Sequence, residues 1–194
     1  MQIPSSRKKS LFLDRDGVIN VEKDYLHRIQ DFEFIDGIFE LCQAASEAGF
    51  ALIIVTNQSG IARGYYTERQ FQHLMTWVLA EFARRGLTIT DYFYCPHHPT
   101  KGTGHYRVDC DCRKPGPQML LDAAQKYDLD LSQSILVGDK RTDLQAGHAA
   151  GIGTKVLVGT GHAVSPEDQQ AADMYAETLT ALKTLLFPES PGSH

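Results

Sequence analysis

With 194 residues, 42% hydrophobic and 22% charged, the chain fits one globular domain, residues 1–194, with a full apolar core. Its formal net charge is −5, and its cation blocks stop at Arg7-Lys8-Lys9 and Arg84-Arg85, which excludes the electrostatic footprint of a nucleic-acid partner. No apolar run approaches the ~18 residues of a membrane span, which argues against a membrane partner.

The segment from Met1 to Ser10 is polar, and Leu11-Phe12-Leu13 is too short for a signal peptide but suits a buried strand ending at Asp14. Asp14-Arg15-Asp16-Gly17-Val18 follows, and Gly17 supplies a turn that lets two carboxylates address one centre. Ile38, Leu41, Cys42 and Ala45 recur at helical spacing, with Asp36 as N-cap and Gly49 as the stop. Cys42 falls on the apolar face and reads as core.

Phe50 to Thr56 is continuously apolar up to its last residue, as a parallel strand buried on both faces should be. Thr67-Glu68-Arg69-Gln70 is a capping-box pattern. It opens a helix whose apolar face is Phe71, Leu74, Met75, Val78, Leu79 and Phe82, closing near Gly86. Further strands are predicted at 92–94, 134–137 and 154–158, and helices at 117–127 and 142–150. Residues 188–194 read as a disordered tail. The alternation predicts an α/β fold, a three-layer Rossmann-like sandwich with a central parallel sheet.

Ligands of such sheets bind beyond the carboxyl ends of the strands. The apolar runs end at Asp14, at Thr56 and at Gly138-Asp139, bringing two acids and a hydroxyl to one edge. Asp14, Asp16 and Asp139 offer the oxygen ligands that Mg²⁺ takes. A bound Mg²⁺ would leave Asp14 free to attack phosphorus, with Asp16 as general acid and base. Thr56, Asn57 and Lys114 supply the donors that phosphoryl transfer needs. A lone Asp-x-Asp-Gly is a common turn, and Lys114 before Pro115 reads equally as a surface lysine. The order of these elements, each beside its own strand or helix, is what makes them a site. A metal with local cations also lets an acidic chain take an anionic substrate.

Cys95-Pro96-His97, a 12-residue spacer and Cys110-Asp111-Cys112 give three thiols and an imidazole for a closed tetrahedral Zn²⁺ site, structural rather than catalytic. The zinc loop runs over about 95–114, is poor in apolar residues, and needs such an anchor. His98 beside His97 leaves the nitrogen ligand open from spacing alone. Clustered free thiols suit a reducing compartment, so a cytoplasmic protein is expected.

The set Asp14-Arg15-Asp16-Gly17-Val18-Ile19, Thr56-Asn57-Gln58-Ser59-Gly60, Arg113-Lys114-Pro115 and Gly138-Asp139-Lys140-x-x-Asp143 resembles the haloacid dehalogenase (HAD) superfamily of phosphatases. The likeness runs from Leu11 to about Leu186 and is closest to the subfamily of heptose bisphosphate 7-phosphatases and histidinol-phosphate phosphatases. It implies Asp14 as nucleophile and Asp16 as acid/base. By the same resemblance, Thr56 and Lys114 would bind the phosphoryl group, and Asp139, Asp14 and the Asp16 carbonyl would hold Mg²⁺, with Asp143 and Lys140 in support. It also favours His97 as the zinc ligand.

The intervals between motifs leave no room for a separate cap domain, so selectivity rests on loops. Candidate substrate-binding residues are Arg15, Glu22, Lys23, Asp24, Tyr25, Asn57, Gln58, Ser59, Arg63, Arg113 and Lys140. Asn57 to Gly64 and Phe32 to Gly37 look most like the heptose enzymes, and a second phosphate suits a bidentate Arg113. The resemblance thus implies a monomer acting on a small phosphorylated metabolite, a D-glycero-D-manno-heptose 1,7-bisphosphate that loses its 7-phosphate, in heptose supply for lipopolysaccharide or surface glycan. Histidinol phosphate is the alternative substrate. A catalytically silent zinc-containing binding module is the alternative class, which would show erosion of these residues.

Overall fold

The computed structural model describes residues 7–189. Its strands are β1 (Lys9–Leu13), β2 (Phe50–Asn57), β3 (Ile89–Cys95), β4 (Ile135–Gly138), β5 (Thr154–Val158) and β6 (Met174–Ala176). They form one sheet in the order β3-β2-β1-β4-β5-β6, parallel at every pairing. The helices are α1 (Ile38–Glu47), α2 (Ser59–Ala62), α3 (Glu68–Ala83), α4 (Gln118–Tyr127), α5 (Arg141–Ala150), α6 (Pro166–Ala171) and α7 (Leu179–Leu186).

The two-residue period of the strands divides the apolar side chains between two cores. Leu11, Leu13, Leu52, Ile54 and Val137 pack with α1, α3 and α7 on one face. Phe12, Ile53, Val55 and Leu136 pack with α4 and α5 on the other. Fully burying one such side chain contributes ~1.5–3 kcal/mol. This is the three-layer parallel sandwich expected. β1 and β4 lie side by side at its centre, so Asp14 and Asp139 emerge next to each other.

The Thr67–Gln70 capping box is present, with Gln70 N donating to Thr67 Oγ1 at 3.1 Å and Thr67 N donating to Gln70 Oε1 at 2.9 Å. Cys42 is wholly buried, and burial pushes its thiol up to about 12.

The start of α1 differs from expectation. Its N-cap is Gly37 in the left-handed region at φ 87°, not Asp36, and no side chain caps it. A Cβ at Gly37 would stand 2.9 Å from Thr180 Oγ1, so packing against α7 sets the entry of the helix. β3 begins earlier than predicted, at Ile89, and α6, β6 and α7 were not read from the sequence. Of the predicted tail, residues 190–194 lie outside the described residues. Among the described residues, no helix is long and apolar enough to cross a membrane.

Candidate active site

β1 ends by pairing Asp14 N with Val137 O at 3.0 Å, and the chain then turns at Gly17, φ 88°. A Cβ on Gly17 would collide with the Asp139 carboxylate and with Gly161, and one on Gly161 would meet Asp139 and Gly17 in turn. Two bare backbones therefore lie flat against Asp139. Asp14, Asp139 and Asp143 are buried, and each offers an oxygen within 4.8 Å of the others. The Lys114 ammonium sits among them, 3.0 Å from Asp14 Oδ1 and 2.6 Å from Asp143 Oδ1, while donating to Val55 O at 3.0 Å.

One ammonium cannot balance three buried acids. Burial holds Asp14 well above the usual carboxylate range; Lys114 opposes the shift, and Asp143, Asp139 and Asp16 add to it. Burial and then Asp143 push Asp139 up to about 7. Asp139 Oδ2 accepts from His162 Nδ1 at 2.5 Å, while its Oδ1 is buried without a hydrogen-bond partner. An excess of negative charge, all-oxygen donors and an orphaned carboxylate oxygen fit a hard divalent cation such as Mg²⁺.

Asp16 is held apart from this group. Its Oδ1 accepts from Arg15 Nη2 at 2.7 Å and Asn20 Nδ2 at 3.0 Å, and its Oδ2 from Gln58 Nε2 at 3.0 Å. Against the cost of burial, the Arg15 charge and these three donors keep its carboxyl below the usual range. The side chain that joins Asp14 and Asp139 is Asp143, the residue expected in support, while the Asp16 carboxylate faces other partners and its expected share in the metal site is its backbone carbonyl. Asp143 sits in the first turn of α5, with Oδ2 accepting from Lys140 N at 3.2 Å.

The strand ends open on a cavity of about 380 Å³. Of the predicted residues, Asp14, Asp16, Glu22, Asp24, Tyr25, Asn57, Gln58, Ser59, Arg63, Arg113, Lys114 and Lys140 line it. Thr56 lies just beneath, with Oγ1 accepting from Gln58 Nε2 at 2.9 Å. Two predicted substrate contacts are not brought to the cavity. Arg15 is wholly buried, its Nη2 donating to Asp16 Oδ1 and to Leu26 O at 2.9 Å while its Nη1 has no partner among the described residues. Lys23 turns outward to Asp31 O at 2.9 Å and Glu33 at 3.2 Å and does not reach the cavity.

Tyr66, Thr142 and His162 line the cavity without having been read from the sequence. The run Gly159-Thr160-Gly161-His162 directly after β5 was the signal available for His162.

Beyond β3, the Sγ atoms of Cys95, Cys110 and Cys112 lie 2.9 to 3.5 Å apart, and His97 Nδ1 is 3.4 Å from Cys112 Sγ. The thiol protons are crowded together. The hydrogen bond between Cys112 and Cys95 leads the fall of Cys112 to about 5, and the same bond raises Cys95. A soft-ligand cation replaces those protons, and the donor set suits Zn²⁺. His98 is turned inward to its own loop, its Nδ1 accepting from Thr100 N and Lys101 N at 3.2 and 2.9 Å.

A family model described as HAD-hydrolase-like matches residues 111–182. The chain is 48% identical over 173 residues to the D-glycero-beta-D-manno-heptose-1,7-bisphosphate 7-phosphatase of Yersinia pestis, covering 89% of this chain and 92% of that one. Its identity to the Escherichia coli K12 protein of the same name is 49% over 173 residues, with 89% and 91% covered. A solved structure of D,D-heptose 1,7-bisphosphate phosphatase from B. bronchiseptica, complexed with magnesium and phosphate, matches with a TM-score of 0.78. It is 31% identical, over 94% of this chain and 99% of that one. With the strand-end acids, the buried lysine and the Cys/His cluster in place, the chain belongs to the heptose-1,7-bisphosphate 7-phosphatase family of HAD-like hydrolases.

Proposed function

We propose that the chain is a Mg²⁺-dependent phosphatase that removes the 7-phosphate of D-glycero-β-D-manno-heptose 1,7-bisphosphate through an aspartyl-phosphate. The observation that carries this reading is the buried Asp14–Lys114–Asp143 arrangement beside Asp139 at the cavity floor, in a chain close to the heptose enzymes over nearly its whole length.

Asp14, Asp139 and the Asp16 carbonyl, with Asp143 beside them, would hold Mg²⁺, which when bound would offset the repulsion between a carboxylate and a phosphate. Asp14 attacks phosphorus; a P–O bond to Asp14 forms and the bond to the sugar O7 breaks. The Thr56 hydroxyl and the Lys114 ammonium hold the non-bridging oxygens, whose charge must be compensated. Asp16 gives its proton to the departing alkoxide, then takes one from the water that attacks the aspartyl-phosphate and releases inorganic phosphate. The incoming phosphate dianion raises the proton affinity of Asp16, opposing Arg15, Asn20 and Gln58. Arg63 and Arg113, across the cavity, bind the second phosphate. The Zn²⁺ cluster fixes the loop that delivers Arg113 and Lys114. The reading takes the protein as a monomer of one domain, and its free cysteines suit a reducing cytoplasm.

The heptose relatives disfavour histidinol phosphate as substrate. The test is phosphate release with Mg²⁺ from both anomers of the heptose bisphosphate and from histidinol phosphate, with Asp14→Asn as blank. Preference for the β anomer, with loss of the 7-phosphate alone, is expected; faster release from histidinol phosphate overturns the substrate.

A further inference from the structure

Gln58 is almost wholly buried, and every polar atom of its side chain is used. Nε2 donates one hydrogen to Asp16 Oδ2 at 3.0 Å and the other to Thr56 Oγ1 at 2.9 Å, while Oε1 accepts from the Tyr66 hydroxyl at 2.5 Å. A flipped amide would set Oε1 against a carboxylate, two acceptors face to face, so the orientation is dictated. Thr56 accepts from Gln58 and has only a long 3.4 Å contact to Asn57 O for its own hydrogen. That hydrogen is left for an oxygen in the cavity.

Tyr66 is itself held firmly. It is buried and stacks on His27 with centroids 4.9 Å apart and planes at 13°. Its ring crosses Gly60 so closely that a Cβ there would overlap it. Burial raises its hydroxyl, which therefore stays a donor.

We propose that Tyr66 is a positioning residue: through Gln58 it aligns the Asp16 carboxylate and the Thr56 hydroxyl together, without touching the reacting atoms. This rests on the roles of Asp16 and Thr56 proposed above. One phenol proton fixes one amide, and that amide fixes the proton-transfer group and a phosphoryl donor at once.

The test is a double-mutant cycle of Tyr66→Phe and Gln58→Ala, assayed with Mg²⁺ on the heptose bisphosphate and on p-nitrophenyl phosphate, with melting temperatures recorded. Tyr66→Phe is expected to lower kcat about tenfold, the scale of one lost hydrogen bond, with KM within about twofold. Gln58→Ala is expected to lose more, and the double variant no more than Gln58→Ala alone. Gly60→Ala, which displaces the same ring but keeps the hydroxyl, is expected to match Tyr66→Phe and to add nothing to it. Wild-type kcat in Tyr66→Phe, or losses that multiply in the double variant, overturn the inference. A wild type that hydrolyses only p-nitrophenyl phosphate overturns the substrate reading alone, and the cycle on that ester still decides the role of Tyr66.

Discussion

The Asn57 side chain and the Lys114 backbone exchange two hydrogen bonds, Nδ2 donating to Lys114 O at 3.1 Å and Oδ1 accepting from Lys114 N at 3.0 Å. This pair clips the end of β2 to the segment leaving the Cys/His cluster. The ammonium beside Asp14 is therefore placed from two sides, by Asn57 and by the cluster two residues earlier at Cys112.

Loss of the cluster should be felt in both stability and rate. Cys110→Ser is expected to lose its bound zinc and to melt at least ~5 °C lower, given ~2–4 °C per kcal/mol for a chain of this size. Its kcat with saturating Mg²⁺ is expected to fall at least about tenfold as Lys114 loses one anchor. Elemental analysis, calorimetry and phosphate release read the three effects. Full zinc content with an unchanged melting temperature would contradict the structural role.

Asp14 and Lys114 should part company in stability while agreeing in activity. Asp14→Asn relieves a crowd of buried acids, so in EDTA it is expected to melt no lower than the wild type while releasing no phosphate. Lys114→Met removes the one cation in that crowd and is expected to cost ~3–5 kcal/mol. Chemical unfolding of the two metal-free variants gives the comparison; equal destabilisation would show that the acids are not under strain.

The metal-free protein should lose stability as pH rises. An unperturbed Asp titrates near ~3.9, whereas burial and Asp143 push Asp139 up to about 7. Between those values the folded chain keeps a proton that the unfolded chain has released, so the unfolded state binds fewer protons and stability falls with pH. The contribution is complete below about 4 and is lost as pH climbs through about 7, at no more than ~1.4 kcal/mol per unit. The raised Asp14 adds in the same direction. Melts in EDTA from about pH 5 to about pH 8 should trace the slope, Asp139→Asn should flatten it, and Mg²⁺ should remove it. A pH-independent melt of the metal-free wild type would rule it out.

Arg15 and Lys23 separate a structural cation from a surface one. Arg15→Met leaves the Asp16 carboxylate with its charge partner gone and is expected to destabilise the fold by ~3–5 kcal/mol. Lys23→Ala, with partners at the surface, is expected to leave kcat and KM within about twofold of wild type. A large rise of KM in Lys23→Ala would restore Lys23 to the substrate.

What could be read from sequence follows from how each residue announces itself. Asp14, Thr56 and Asp139 stand where apolar runs stop, and a parallel sheet gathers those points on one edge, so fold class and the heart of the site were legible together. The Cys/His cluster was legible because two short spacings around a polar loop leave few other readings, and the structure sets His98 apart from it, its ring accepting from its own turn. Arg15 lies buried away from the cavity, because adjacency to Asp14 says nothing about which way a side chain leaves the backbone. Asp143, expected in support, joins the acids through the first turn of α5, a helical return whose closeness to Asp14 counting along the chain does not give. Tyr66 carried no local pattern, since a lone aromatic reads as core or surface until its neighbours are known, and the Gly159 to His162 run after β5 marked only a strand end, not the role of its imidazole. β6 is three residues long, too short for its alternation to stand out.

The back-to-back contact of Gly17 and Gly161 across Asp139 joins the first tenth of the chain to its last fifth. On the ribosome, which delivers the N-terminus first, Asp14 thus exists long before its surroundings do. Ser10 must wait for Ser134, 124 positions later, merely to complete its backbone hydrogen bond. Gly161 arrives later still. A chain cut short before that glycine would therefore keep its Asp14 carboxylate but lack the backbone that packs against Asp139 at the floor of the cavity.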